Sequence, residues 1–143
     1  MSFMPFSSIN IVEYFRLTAN CFSLRINLKK NLPLDDFDFK NNIQNSHQLS
    51  SKQGINLFRV LQETINNALK HAKATEINIV LDENQNQLLM KIQDNGNGFD
   101  YEEKKKKSYG LSNIKNRIEE LNGNFVLISN ETGTTINITI PIV

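Results

Sequence analysis

The clearest periodicity in the chain runs from Ile55 to Ala72, where Leu57, Leu61, Ile65, Ala68 and Ala72 recur at helical spacing and form one apolar stripe. That spacing predicts a helix, with Glu63, Asn67 and Lys70 a turn apart on the side opposite the stripe. A later helix is predicted from Leu111, Ile114, Ile118 and Leu121, closed by Gly123. An earlier one begins at Asn10, with Glu13 three residues on. It takes Ile11, Phe15, Leu17 and Ala19 as its apolar face and runs to about Asn20.

Strict alternation marks the strands. Phe22, Leu24, Ile26 and Leu28 alternate with Ser23, Arg25 and Asn27. Ile77 to Leu81 and Leu88 to Gln93 are joined by the polar stretch Asp82 to Gln87, a hairpin-type connection. Phe125 to Ser129 and Thr134 to Ile142 follow, across a turn at Glu131-Thr132-Gly133. The elements predict an α/β (α+β) two-layer sandwich, with a mixed, mostly antiparallel five-stranded sheet covered on one face by about three helices. Residues 31–53, rich in Asn, Gln, Asp and Ser, read as a polar loop or excursion.

Composition narrows the picture. With 143 residues, 39% hydrophobic and 22% charged, one domain over 1–143 with a real core is expected. Sixteen basic against fifteen acidic side chains leave a net charge of +1, which argues against a broad nucleic-acid or membrane surface, so any anion is bound locally. The single cysteine, Cys21, permits no internal disulfide. No apolar run of about eighteen residues occurs, and Met1 to Phe6 lacks a secretion-signal pattern, so a soluble, cytoplasmic chain is expected.

Alternation carries Asp94 to the face of Leu88, Met90 and Ile92, where an unpaired carboxylate is costly. An adenine amine donating to the acid, between apolar walls in a purine-sized cavity, would resolve that cost. Gly96 and Gly98 behind it allow positive φ and close backbone approach. Taken alone, Asp-Asn-Gly-Asn-Gly also reads as a plain tight turn. An EF-hand loop is rejected, because Gly96, Gly98, Phe99 and Lys105 fall where its ligands, glycine and closing glutamate belong. Glu63, Asn67 and Lys70 by themselves fit a solvated helix face. They also suit a magnesium nucleotide, with hard oxygens for Mg²⁺ and an ammonium for phosphate. His71 can either meet phosphate or cap local structure. Lys104 to Lys107 lead through Ser108-Tyr109-Gly110 to a helix start, where free amides favour anions.

Four blocks then fall in order: Glu63-x-x-x-Asn67-x-x-Lys70-His71, Asp94-x-Gly96-x-Gly98, Gly110-Leu111-x-Asn113-Ile114 and Gly133-Thr134-Thr135. In these the chain resembles the GHKL ATPases, and within them the catalytic ATP-binding domain of sensor histidine kinases, over roughly Phe22 to Val143. The resemblance implies that Asn67 ligates Mg²⁺ with Glu63 positioning metal-bound water, and that Lys70 and His71 meet phosphates. It further implies that Asp94 reads the adenine amine and that Gly96 and Gly98 shape its pocket. Gly110 and Leu111 would close on the phosphates at the end of a short lid, 99–110, and Thr135 would support Asp94 from the neighbouring strand. Ser108 stands where family members often carry glycine.

Such a kinase needs a phosphoacceptor histidine on a dimeric helical hairpin, and the chain's two histidines are His47 and His71. The expected activity is therefore transfer of the ATP γ-phosphate to a hairpin outside this chain, with a response regulator as indirect partner. The parent protein can be membrane-anchored although this domain touches no membrane or nucleic acid. Competing readings are a free-standing serine kinase of the anti-sigma type and a non-catalytic nucleotide-binding docking module. P-loop and Gly-rich-loop protein kinases are excluded because their motifs do not occur.

Overall fold

A computed structural model describes residues 36–42, 50–70, 72–98 and 109–142. The helix expected to end near Asn20, the strand at Phe22 to Leu28, Cys21, and the lysine run lie outside them.

The frame is an antiparallel hairpin of β2 (Glu76–Asn84) and β3 (Gln87–Asp94). Its turn is only Gln85-Asn86, at φ 46 and 66, the doubly left-handed geometry that suits strand twist. The ladder extends to Asn84 opposite Gln87, which shortens the connection expected at Asp82 to Gln87. β4 (Asn124–Asn130) and β5 (Gly133–Pro141) pair antiparallel, and β5 inserts beside β3. β1 (Asp36–Asn41) adds parallel to β2, giving a five-stranded sheet in the order β1-β2-β3-β5-β4 among the described residues.

The inward residues of three strands, Ile77, Ile79, Leu81, Leu88, Met90, Ile92, Ile136, Ile138 and Ile140, are at most 3% exposed. Burying each such side chain contributes about 1.5–3 kcal/mol. Helix α1 (Ser51–Lys70) closes that face with Leu57, Val60, Leu61, Ile65 and Ala68. Helix α2 (Tyr109–Glu120) adds Leu111, Ile114 and Ile118. The other side carries exposed Lys91, Gln93 and Asn137. The molecule is thus an α+β sandwich with a largely antiparallel sheet and two helices among the described residues.

Residues 31–53 are not simply a loop. They contain β1, whose Asp-Phe-Asp-Phe sequence does alternate but is short and rich in acids, and they contain the start of α1. That start lies at Ser51 and not Ile55, because Ser50 and Gln53 make a reciprocal capping box. Ser50 Oγ accepts from Gln53 N at 3.1 Å, and Gln53 Oε1 accepts from Ser50 N at 2.9 Å. Gln53 Nε2 also donates to the Pro141 carbonyl, at 3.1 Å, pinning the helix start to β5. At the far end of α2 the left-handed residue is Asn122, φ 58. Gly123 N bonds back to Ile118 O at 3.0 Å and Asn122 N to Glu119 O at 3.0 Å, so Gly123 follows the turning residue. Ser50→Ala is expected to lower stability by about 1 kcal/mol in urea unfolding at unchanged m-value, the usual cost of losing such a cap.

Candidate functional site

Asp94 closes β3 at 8% exposure. Its Oδ1 accepts from Gly96 N at 2.8 Å and from Thr134 N at 3.3 Å, and no described residue donates to Oδ2. Burial pushes the carboxyl above its ordinary 3.8, against the opposing pull of those two backbone donors. No described cation forms a salt bridge with it.

The loop behind Asp94 is bolted to the end of α1. Asn95 Oδ1 accepts from Thr75 N and Glu76 N, both at 2.9 Å, and its amide donates to Thr75 Oγ1 at 2.9 Å. Asn97 N bonds to the Ala72 carbonyl at 2.8 Å. A Cβ at Gly96 would lie 2.6 Å from both the Cβ and the carbonyl oxygen of Ala72, so only glycine fits. Gly98 sits at φ 70, with the Asn130 carbonyl where a side chain would be. Helix α1 itself ends in a widened turn, in which Ala72 N reaches the Asn67 carbonyl at 3.2 Å and Lys73 turns the chain at φ 54.

Thr64, Asn67, Ala68, Ala72, Asp94, Leu111, Thr134 and Ile136 enclose one slot of about 10 Å³. That volume holds a water and not a purine. The acid, Asn67 and Leu111 converge on this slot, and among the described residues it is not purine-sized. Asn67 is half-buried at the margin of the α1 stripe, beside Thr64 three residues earlier, and not opposite the stripe. Glu63 opens instead onto a separate cleft of about 240 Å³ with Arg59, Gln62, Asn113, Ile114 and Arg117. There its carboxylate packs against the Gly110 backbone, which brings the first and third sequence blocks together. Lys70 is the last residue of α1, and His71 and most of the expected lid lie outside the described residues.

Thr135 does not support Asp94. The antiparallel register sets Asp94 opposite Thr134, so Thr134 donates to the acid and lines the slot while Thr135 falls on the other face, opposite Gln93. Thr134 is fixed further by a 2.8 Å bond between its hydroxyl and that of Ser129 on β4. Sequence reasoning also missed Thr64, which is concealed between stripe positions, and Asn95. The Gly-Thr-Thr block carried the signal for Thr134, but strand register was needed to choose between its threonines.

Chemically, the slot offers one carboxylate oxygen to a donor between apolar walls, with an amide at its mouth and a second carboxylate one turn away. Residues 52–143 match the family of histidine kinase-, DNA gyrase B- and HSP90-like ATPases, and the chain belongs to it. It is 41% identical over 87 residues to the sensor protein VraS of Staphylococcus haemolyticus, covering 60% of this chain and 25% of that protein. It is 41% identical over 106 residues to the signal transduction histidine-protein kinase/phosphatase DegS of Brevibacillus brevis, covering 73% of this chain and 27% of that one. The chain thus spans about a quarter of the length of these curated relatives. In fold it is similar to the catalytic domain of histidine kinase ThkA, with TM-score 0.73 at 20% identity over 99% of this chain and 97% of that one.

The raised pKa of Asp94 has a measurable sign. The folded carboxyl binds a proton more tightly than the unfolded one, so stability falls as pH rises from 3.8 through the folded pKa and then levels off. Asp94→Asn keeps an Oδ1 acceptor and removes that titration. Without nucleotide it is expected to melt at or above wild type at pH 7, with the difference shrinking as pH is lowered, as thermal melts across pH will show.

Proposed function

We propose that this chain is the ATP-binding catalytic domain of a sensor histidine kinase, transferring the γ-phosphate of ATP to a histidine on a separate dimerisation hairpin. The observation that carries this reading is the Asp94 carboxylate, buried at the floor of an apolar-walled slot with Oδ1 saturated and Oδ2 left for a donor. An adenine amine is such a donor, and Ala68, Ala72, Leu111 and Ile136 supply flat apolar walls.

Asn67 and Glu63 are both hard-oxygen donors four residues apart on α1, and no described cluster of three or more acidic, His or Cys side chains competes with them. Such a donor pair fits Mg²⁺, which keeps waters and phosphate oxygens as its remaining ligands. When bound, the metal would neutralise phosphate charge. Asn67 would hold it, Glu63 would orient one of its waters, and Lys70 and His71 would face the phosphates. Gly110 and Leu111 would close over the phosphates, and Thr134 would steady the adenine-reading acid. Catalysis in this scheme is positioning and charge neutralisation.

The reading extends to 1–143 as one domain. Its partners are ATP, the phosphoacceptor hairpin and, indirectly, a response regulator, with neither nucleic acid nor membrane contacted by this domain. No described helix is long and apolar enough to cross a membrane. We place the domain in the cytoplasm, within a parent that can be anchored. Relatives named as histidine kinases favour a histidine acceptor over the serine of an anti-sigma type kinase.

Calorimetric titration with a non-hydrolysable ATP analogue, with and without Mg²⁺, tests the binding step. Wild type is expected to bind, Asp94→Asn to lose roughly ten- to a hundredfold in affinity, as for a hydrogen bond to a charged group, and Asn67→Ala to lose its metal dependence. No binding by wild type would leave only the docking-module reading. Incubation with labelled ATP and either an isolated dimerisation hairpin or an antagonist protein then identifies the acceptor.

A further inference from the structure

The slot holds one polar group that the nucleotide reading has not used. Thr64 is 5% exposed, lines the slot with Asp94, and its Oγ1 is fully buried with no hydrogen-bond partner. A threonine inside a helix ordinarily returns its hydroxyl to a carbonyl one turn back. Here that bond is not made, and a buried polar group left unpaired is costly unless something else completes it.

The chemistry of the slot says what completes it. Asp94 Oδ2 is an acceptor, and the Thr64 hydroxyl is a donor on the α1 wall of the same enclosure. The edge of adenine presents the complementary pair, an amine donor beside a ring-nitrogen acceptor. Guanine presents a carbonyl where the amine would be, which sets oxygen against the carboxylate. Resting on the nucleotide reading above, we propose that Thr64 is a second purine-reading residue, whose hydroxyl donates to a ring nitrogen of adenine while Asp94 accepts from its amine. The donation is made directly or through a single water, the most the slot holds as it stands.

The test separates a reading role from a packing role because the two move stability and affinity differently. Thr64→Val keeps the shape and removes the unpaired hydroxyl. Without nucleotide it is expected to melt at or above wild type, yet to bind the ATP analogue about three- to tenfold more weakly, the value of one neutral hydrogen bond. Thr64→Ser keeps the hydroxyl and should restore affinity to within about twofold of wild type. Two further ligands, analogues with ring nitrogen N1 or N7 replaced by CH, locate the bond. One of them should bind wild type more weakly than ATP and lose that disadvantage in Thr64→Val.

Equal ATP affinity in wild type and a folded Thr64→Val overturns the proposal while leaving the nucleotide reading intact. Should Thr64→Val fail to fold, wild-type indifference to both ring-nitrogen replacements overturns it equally. Absence of ATP binding by wild type removes both readings together.

Discussion

A carboxylate buried at the end of a β-strand is the constraint around which this fold is arranged. Asp94 loses solvation that only hydrogen bonds can replace, and two backbone amides, from Gly96 and Thr134, replace it at one oxygen alone. Both donors come from places the fold must bring close, the loop after β3 and the neighbouring strand β5. The second oxygen is left facing the slot. Burial thus carries a cost that the two amides only partly offset, and the raised pKa of the acid records it.

The surroundings explain how such a group stays in place. Asn95 ties the β3 exit to the start of β2 through three side-chain bonds and one from its backbone N–H to the Glu76 carbonyl, and Asn97 reaches the carbonyl of Ala72 just past α1. Gly96 is pressed against Ala72 with no room for a side chain. Helix, loop and sheet are therefore tied together at the floor of the slot. Leu111, in the first turn of α2, forms the opposite side, and α2 is itself tied to α1 where Asn56 accepts from Arg117 Nη1 at 3.1 Å and donates to Glu120 Oε2 at 3.2 Å.

Much of this was legible from residue order. Alternation alone brought Asp94 to the inner face, and helical spacing found the core stripe of α1. Both hairpins on the β2–β3 and β4–β5 sides stand where polar residues interrupt the alternation. What failed did so for physical reasons. Thr134 and Thr135 are adjacent, and only the pairing of Asp94 with Thr134 across two strands decides which one faces the acid. Asn67 was set opposite the stripe, but the stripe is wider than its apolar members because Thr64, a polar residue, is buried within it. β1 was hidden because its identity depends on a parallel partner forty residues away, and its own sequence is mostly polar. The Ser50–Gln53 box was written in the chain but lay inside a polar run that masked it.

The turn between β4 and β5 looks like an ordinary exposed tip, yet the carbonyl of Asn130 fills the space beside Gly98, and the backbone of Gly133 lies against the carbonyl of Asp94. Inserting or deleting a residue there would shift both supports at once. A surface hairpin that would usually tolerate length polymorphism is thus frozen in length by the loop it braces, so natural drift and loop-grafting experiments alike should find it unexpectedly intolerant.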